Sequence, residues 1–241
     1  IEKKINNKNI SFFVPNKRCL ERVKILFNVE PETIDWINSF NSKKKIIFWD
    51  IGSNIGLYSI YSTSIHENIE VVSFEPSTSN LRSLSRNISI NNLYDKIKIF
   101  QIALTNKSNV ILDMKESKFS EGGSISTFGE NFDNNGNLIY SIKNQYKIFG
   151  TSINYLLTEK ILEIPNYIKI DVDGLEHLIL EGANKFLKNE ELKEISVEIN
   201  PKFEKQYKQA YEILEKNDFV LKKNDFILKR DKTQNHYFIR K

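Results

Sequence analysis

Alternation between apolar runs and amphipathic segments is the feature that most constrains the fold of this chain. From residue 45 onward, short apolar runs alternate with segments whose apolar residues recur at helical spacing. This order is typical of a parallel sheet whose strands are joined by right-handed helical crossovers. The predicted strands cover residues 46–49, 71–75, 97–102, 167–172 and 195–199, and two final strands lie near 219–221 and 236–239.

Length and cysteine content narrow the class further. The chain has 241 residues and one cysteine, Cys19. Because a single core can reach about 250 residues, we expect one main domain, residues 45–241, and an N-terminal extension, residues 1–44, that packs on it. One cysteine excludes an intrachain disulfide framework and a cysteine-based zinc site. No apolar run approaches the roughly 18–20 residues of a membrane span, and we expect a soluble, cytoplasmic protein.

The positive charge does not indicate a nucleic-acid partner. The formal net charge is +4, and most of the positive residues are lysines scattered among Asn and Ile. A nucleic-acid interface requires clustered Arg and Lys with stacking aromatic side chains. The densest run, residues 43–45, precedes an apolar strand, and we interpret it as the solvated start of that strand. The sequence carries no signal for an oligomeric state.

The turn after the first predicted strand carries the most informative residues. Asp50 closes the strand, and Gly52 and Gly56 follow where Rossmann-type sheets bind a cofactor. Asn54 stands where a dinucleotide site needs a glycine, so the dinucleotide fingerprint is not met. An acid before the turn favours an ammonium group, such as that of the amino-acid part of S-adenosylmethionine. The alternative is that Asp50 merely caps the next helix.

A second acid, Glu75, ends the second predicted strand about 20 residues after Gly56. From this position a carboxylate accepts hydrogen bonds from both ribose hydroxyls of a bound nucleotide or nucleoside. Taken alone, Glu75 could equally be a solvated strand end. Because Asp50 ends the neighbouring strand, the two acids together predict a cofactor site at the carboxyl edge of the sheet.

Three sequence blocks occur in the order FWDIGSNIGLYSIY, VVSFEPSTSNLRSLSRNISIN and YIKIDVDGLEHLILEGA. Together they resemble the FkbM-type S-adenosylmethionine-dependent methyltransferases, over about residues 45–200. The resemblance implies an α/β fold with the Rossmann-like class I methyltransferase sheet, which is mostly parallel and seven-stranded, with its last strand antiparallel. It also implies S-adenosylmethionine as methyl donor and S-adenosylhomocysteine as product.

The resemblance further implies which residues hold this cofactor. The turn residues match the motif that binds the methionine portion, Glu75 matches the ribose acid, and Ala103 lies where the chain passes the adenine. Asp173 departs from the family pattern, which has Glu more often at this position. The implied cofactor-binding residues are Asp50, Gly52, Ser53, Asn54, Gly56, Glu75, Pro76, Ala103 and Asp171.

The function implied by the resemblance is O-methylation of a sugar hydroxyl, in a glycan, a glycolipid or a nucleotide-sugar, as in polysaccharide biosynthesis. The expected partner is thus a small-molecule or saccharide acceptor. The alternatives are that the acceptor is a non-sugar small molecule or a nucleic acid, or that the domain binds the cofactor but is catalytically silent. Methylation of a nucleic acid is disfavoured on two grounds. Residues 171–174 lack the Pro-Pro-Tyr turn of amino-methylating enzymes. Carbon-5 methylation of pyrimidines needs a cysteine nucleophile, and Cys19 lies in the extension.

Methyl transfer to a hydroxyl often needs a base for the departing proton. The candidates at the carboxyl edge of the sheet are Asp171, Asp173, Glu176, His177 and Glu198. His177 is suited to neutral pH, although its helical spacing favours a place on an exposed stripe over a catalytic role. Asp171 and Asp173 could hold a divalent metal that binds adjacent sugar hydroxyls, but they have no third ligand nearby, and we expect no metal.

Residues 115–150 are polar and rich in Gly, Asn and Ser, and they are predicted to form an irregular loop that shapes the acceptor site. Gly122 and Gly123 could serve as hinges of a lid over the cofactor. The aromatic residues Phe128, Phe132 and Tyr140 could stack on a sugar or pack beneath the loop.

Overall fold

The computed structural model describes residues 1–41, 43–139, 141–222 and 232–241. The strands in these ranges are β1 (Glu2–Ile5), β2 (Lys8–Ser11), β3 (Ile46–Ile51), β4 (Ile69–Phe74), β5 (Ile97–Phe100), β6 (Ala103–Leu104), β7 (Val110–Glu116), β8 (Ser126–Phe128), β9 (Asn144–Thr151), β10 (Tyr167–Ile170), β11 (Glu194–Ile199), β12 (Phe219–Leu221) and β13 (Gln234–Arg240). The helices are α1 (Lys17–Ile25), α2 (Pro31–Asn38), α3 (Leu57–Ile65), α4 (Thr78–Ile90), α5 (Ile153–Thr158), α6 (Glu176–Glu181) and α7 (Glu204–Lys216).

The main sheet has seven strands in the order β12-β13-β11-β10-β3-β4-β5. Strands β11, β10, β3, β4 and β5 pair in parallel, whereas β13 runs antiparallel to both β11 and β12. The expected class I methyltransferase sheet, with its last strand antiparallel, is therefore confirmed. All six residues of β3 are buried, as expected of a central strand that is covered on both faces.

Helices cover both faces of this sheet, and the sheet separates the two layers of the hydrophobic core. On one face, α5, α6 and α7 pack against side chains such as Trp49 and Ile170. On the other face, α3, α4 and the N-terminal residues pack against Phe48 and Tyr167. Because successive residues of a strand point to opposite faces, Asp50 and Lys169 belong to the same face as Phe48 and Tyr167.

The N-terminal segment, residues 1–41, packs on the main sheet through aromatic side chains. Trp36 of α2 contacts Phe48 and Tyr167 edge-on, with ring centroids 6.0 and 6.3 Å apart. Phe40 stacks on Tyr167 at 3.8 Å. Pro31 is the first residue of α2, a position where its missing backbone N–H costs no helical hydrogen bond. Sequence reasoning did not predict β1 or α1.

A second sheet replaces much of the predicted irregular loop. Its four strands have the order β6-β9-β7-β8, and β7 pairs antiparallel with both β8 and β9. The prediction of irregular structure is therefore wrong for residues 115–116, 126–128 and 144–150. The polar composition concealed β9 because its side chains alternate between half-buried and exposed positions, which lets Gln and Lys occupy the exposed ones. Within the described parts of the chain, every helix is too short or too polar to cross a lipid bilayer.

The packing of the N-terminal segment can be tested at Trp36, which is 3% exposed. Trp36→Ala should lower the free energy of unfolding by about 3–5 kcal/mol, because it opens a cavity among four aromatic rings. Tyr94→Ala, at a residue that is 67% exposed, is the control and should change it by less than about 0.5 kcal/mol. Urea unfolding measures both, and equal effects would show that the segment does not stabilise the sheet.

Candidate functional site

The turn after β3 brings three strand ends together. Gly52 has φ +82°, and a Cβ at this residue would lie 1.9 Å from the backbone carbonyl oxygen of Asp171. The Gly52 amide also donates to the carbonyl of Phe74 at 3.0 Å. Gly56 has φ +84°, and a Cβ there would lie 2.5 Å from Leu84 Cδ1. Glycine at both positions therefore allows the ends of β3, β4 and β10 to meet and α3 to pack closely on α4.

Two cavities open at this carboxyl edge, of about 580 Å³ and about 710 Å³. We call them the first and the second cavity. The walls of both include Gly52, Asn54, Asp171 and Asp173.

The structure distributes the predicted cofactor residues over these cavities. The first cavity is lined by Gly52, Asn54, Glu75, Pro76, Ala103 and Asp171, and Ser53 lines the second. Asp50 and Gly56 line neither cavity and lie beneath the turn. The first cavity also has apolar walls, formed by Met114 of β7, which sequence reasoning did not predict, and by Phe128 of β8, which it assigned to the acceptor loop. Sequence reasoning did not place Met114 at the site because it did not predict the second sheet.

Glu75 lies in the wall of the first cavity, directly after β4. Its Oε2 accepts a hydrogen bond from the amide of Asn54 at 2.7 Å, and its Oε1 accepts one from the amide of Ser77 at 2.8 Å. Burial raises the pKa of Glu75 to about 8, against the lowering effect of these amides. The carboxyl group is thus fixed in place and retains lone pairs that further donors can reach.

A buried lysine, which sequence reasoning missed, lies beside the two central acids. Lys169 Nζ donates to Asp171 Oδ2 at 2.5 Å, and Lys169 is the direct neighbour of Asp50 in the pairing of β10 with β3. Burial alone would lower the pKa of Lys169, but the carboxylates of Asp171, Glu30 and Asp50 hold it above its usual value. The available signal was a lysine in the middle of the otherwise apolar strand YIKI.

Asp50 is almost fully buried under the turn. Its Oδ2 accepts a hydrogen bond from Ser59 Oγ at 2.5 Å, and Ser59 in turn contacts Ser73. Its Oδ1 has no hydrogen-bond partner among the described residues. Burial raises the pKa of Asp50, while Lys169 and Ser59 act in the opposite direction.

Asp173 connects β10 to the segment that covers the first cavity, residues 121–126, which we call the strap. It has φ +59°, a left-handed conformation that Asp tolerates better than most residues. Its Oδ2 accepts hydrogen bonds from the amides of Ile125 at 2.7 Å and Ser126 at 3.2 Å. Burial and the nearby Asp171 carboxylate raise the pKa of Asp173 to about 6.

Further hydrogen bonds fix the strap from three other elements. Asn54 Nδ2 and Asn80 Nδ2 donate to the carbonyl of Gly123 at 2.7 and 3.1 Å. From α1, Arg22 Nε donates to the carbonyl of Gly122 at 2.7 Å. The strap therefore forms a wall of the first cavity, held between the N-terminal segment and the main sheet.

Glu176 holds the turn that carries Asp171 and Asp173. Its carboxylate accepts hydrogen bonds from the amides of Val172 and Gly174 and from Gln206 Nε2, at 3.0, 3.2 and 2.7 Å. Burial raises the pKa of Glu176 to about 7.

The other candidate bases, His177 and Glu198, line neither cavity. His177 is 1% exposed and packs edge-on against Phe203, with ring centroids 5.8 Å apart, so the alternative of an exposed helix stripe is wrong. Burial, and then the charge of Lys205, lower its pKa to about 4. For Glu198, burial and the carboxylates of Asp171 and Glu176 raise the pKa well above its usual value.

The aromatic residues of the predicted acceptor loop are separated in the structure. Phe128 lines the first cavity, and Phe132 packs against Phe203 at 5.3 Å. Tyr140 lies outside the described residues. In the described ranges, no three or more His, Cys, Asp or Glu side chains form a group that could hold a metal ion.

Comparison with known proteins agrees with this architecture. A family model described as the methyltransferase FkbM domain matches residues 50–222. No curated protein matches the sequence. Among solved structures, the chain is similar to a methyltransferase FkbM from Methylobacillus flagellatus KT, with 14% identity and a TM-score of 0.53, over 93% of this chain and 56% of that one. It therefore spans little more than half of that chain's length.

A second solved structure with a similar fold is the ribosomal protein L11 methylase from Lactobacillus delbrueckii subsp. bulgaricus. Its identity to this chain is 12% and its TM-score is 0.51, over 88% of this chain and 78% of that one. At these identities the two structures show the fold alone.

The buried ion pair at the site should be sensitive to loss of its cation. Lys169→Met should lower the free energy of unfolding by about 3–5 kcal/mol, because it leaves buried carboxylates without a counter-charge. Lys98→Met is the matched control, since Lys98 also pairs at 2.5 Å with a carboxylate on the same sheet but is half exposed. It should cost no more than about 1 kcal/mol. Chemical unfolding at pH 7 would contradict this account if the two substitutions cost the same.

The burial of His177 predicts a loss of stability in acid. Its pKa is lowered to about 4 in the folded state, against about 6.5 when unfolded. The stability due to the neutral ring is thus complete above pH 6.5 and falls by about 1.4 kcal/mol per pH unit down to about pH 4. His177→Phe should lose this contribution to the slope of the free energy of unfolding against pH. His236, whose pKa burial also lowers to about 4, contributes to the slope in both proteins. Unfolding curves of both proteins between these pH values test this, and identical slopes would contradict it.

Proposed function

The chain belongs to the FkbM methyltransferase family, and we propose that it uses S-adenosylmethionine to methylate a hydroxyl group of a saccharide. The observation that carries the proposal is the first cavity, where Glu75 is fixed in the wall next to the turn after β3. A carboxylate at this strand end accepts hydrogen bonds from ribose hydroxyls.

The residues at the site fit the donor well. Apolar walls from Ala103, Met114 and Phe128 suit an adenine ring. One buried oxygen in the wall that both cavities share, Asn54 Oδ1, has no hydrogen-bond partner among the described residues. Buried polar atoms of this kind are rare in folded proteins, and donor groups of a ligand would satisfy them. We assign the nucleoside half of the cofactor to the first cavity and its amino-acid half to the wall that both cavities share.

A dinucleotide fits the same site poorly. The Asn54 side chain occupies the turn and donates to the strap, so the backbone there is not open to a pyrophosphate. Two acids beside the turn, Asp50 and Asp171, also share one buried cation, Lys169, and their net negative charge would repel a doubly negative group.

Asp171 is the residue that we assign as proton acceptor. When bound, S-adenosylmethionine supplies a methyl carbon on a positively charged sulfur, which a hydroxyl oxygen can attack. Asp171 lies in the shared wall, and its Oδ2 is held by Lys169 while the carboxylate remains partly exposed. Asp173 lies in the same wall, but its Oδ2 holds the strap. We assign positioning roles to His177 and Glu198, because they line neither cavity.

The cofactor assignment predicts which ligand stabilises the protein. S-adenosylhomocysteine at 100 times its dissociation constant should raise the free energy of unfolding by about 2.7 kcal/mol, which is visible as a shift in Tm. NAD at the same concentration should give no shift. A shift with NAD alone would overturn the proposal, and binding of S-adenosylhomocysteine without methylation of any acceptor would indicate a silent domain.

Two glutamates at opposite ends of β4 give a matched test of the ribose contact. Glu75→Gln should weaken binding of S-adenosylhomocysteine by about tenfold or more, because hydrogen bonds to a charged carboxylate are lost. Glu70→Gln should leave binding unchanged, since Glu70 pairs with Lys45 and Lys98 at the far end of the strand.

The ionisation of Glu75 makes binding of S-adenosylhomocysteine depend on pH. Ribose hydroxyls bind the ionised form of Glu75, whose pKa is about 8 in the empty site. Binding by the wild-type protein should therefore strengthen as pH rises toward 8, and Glu75→Gln should lack this dependence. Calorimetry at several pH values measures it, and equal pH profiles would remove Glu75 from the ribose contact.

A further inference from the structure

The second cavity lies between the N-terminal segment and the main sheet, on the face that carries α3. The N-terminal segment contributes Arg22 and Leu26, at the end of α1, and Val29 and Glu30 before α2. The main domain contributes the turn after β3, Tyr58 and the buried Lys169. The cavity is therefore formed by residues that lie on both sides of position 44.

Its position relative to the first cavity suits a second reactant. The two cavities meet at Gly52, Asn54, Asp171 and Asp173. An in-line displacement requires the attacking oxygen and the carbon it attacks to approach within about 3–3.5 Å. A donor assigned to the first cavity and the shared wall leaves the second cavity as the side from which an acceptor reaches the same wall.

The predicted acceptor loop contributes little to this cavity. Of the described residues between 115 and 150, only Ser124 lines it. Phe128 lines the first cavity instead, and Phe132 packs against Phe203. Acceptor contacts in the second cavity therefore come from the N-terminal segment and from α3.

The charges of the lining favour an uncharged ligand with many hydroxyls. Glu30, Asp171 and Asp173 present three carboxylates, which accept hydrogen bonds from hydroxyl groups. The positive charge of Lys169 is already balanced, because Asp171 accepts from it at 2.5 Å and Glu30 and Asp50 lie near it. The other cation of the lining, Arg22, donates through Nε to the strap carbonyl of Gly122. A phosphate or carboxylate in this cavity would therefore meet three acids and two cations that each already hold a partner.

The Tyr58 ring adds an aromatic surface to the same wall. Lys169 Nζ lies 5.0 Å from its centroid, so that ring is held in place from below by a buried cation. Apolar side chains, among them Leu26 and Ile55, complete the lining. A sugar ring presents a face of carbon atoms and several hydroxyl groups. The aromatic and apolar side chains of this wall can contact that face, and its carboxylates can accept hydrogen bonds from the hydroxyls.

On the premise of the proposed function, we propose that the second cavity is the acceptor site and that it takes an uncharged saccharide, not a nucleotide-sugar or another phosphorylated acceptor. The saccharide hydroxyl reaches Asp171 in the shared wall. Its oxygen forms the new bond to the methyl carbon as the carbon–sulfur bond breaks, and its proton passes to the Asp171 carboxylate. Residues of the N-terminal segment thus determine which acceptor is methylated.

The test uses the whole chain with a bulky residue at the mouth of the cavity. Val29 lines the cavity and is 57% exposed, so Val29→Trp obstructs the entrance without disturbing the core. Asn28→Trp is the matched control, since Asn28 is the exposed neighbour that does not line the cavity. Both variants are assayed for S-adenosylhomocysteine binding and for methylation of neutral methyl glycosides and oligosaccharides. A parallel panel holds UDP- and GDP-sugars.

The wild-type protein should methylate a neutral saccharide and no nucleotide-sugar. Val29→Trp should lower kcat/KM for that saccharide by roughly 100-fold while S-adenosylhomocysteine binds as before, and Asn28→Trp should change neither quantity. Equal activity of Val29→Trp and wild type would place the acceptor elsewhere, and weaker S-adenosylhomocysteine binding by Val29→Trp would place the cofactor in this cavity.

Two outcomes distinguish this inference from the function it rests on. Turnover of nucleotide-sugars alone, or of no neutral saccharide in a protein that binds S-adenosylhomocysteine, overturns the assignment of the acceptor class. Failure of the wild-type protein to bind S-adenosylhomocysteine overturns the proposed function itself.

Discussion

A buried lysine among carboxylates is the interaction on which the arrangement of the site depends. Lys169 lies in the middle of β10 and is paired in register with Asp50 on β3, and it holds Asp171 through a 2.5 Å contact. Burying several charges is costly unless they offset one another. With the lysine in place, two acids can stand at adjacent strand ends without mutual repulsion, and Asp171 is oriented toward the wall that the two cavities share.

The strap connects the end of β10 to the N-terminal segment through hydrogen bonds. Asp173 holds its later half by two backbone amides, and Asn54 and Arg22 hold its glycines. One segment is therefore fixed both by the main sheet and by α1. Because the same α1 lines the second cavity, residues before position 44 form part of that cavity and also hold the strap, which is a wall of the first.

The parts of the fold that followed from the sequence are those with one strong physical cause. The strand β3 and the turn after it were predictable, because a strand buried on both faces is continuously apolar and only glycine permits the contact of Gly52 with the Asp171 carbonyl. The strand β9 was not predictable from composition, since its half-buried pattern resembles a polar loop. His177 was placed ambiguously, because helical spacing alone does not say that α7 covers that face of α6. Lys169 was overlooked because the strand pattern does not show that Asp50 and Glu30, which lie on other segments, are close to it.

The Lys169 contact also bears on how a methyl transfer enzyme of this design would gain its rate. A methyl group on a sulfonium is already a strong electrophile, so the protein gains most by holding the acceptor oxygen in line and by providing a place for its proton. Asp171 presents a carboxylate of which one oxygen is held by Lys169. In the reaction that we propose, hydroxyls that approach from the second cavity meet a carboxylate of fixed orientation, and the backbone of Asp171 lies against the turn beside the first cavity at Gly52. Positioning of the base and the alignment of the two reactants are thus consequences of the same packing contact between β3 and β10.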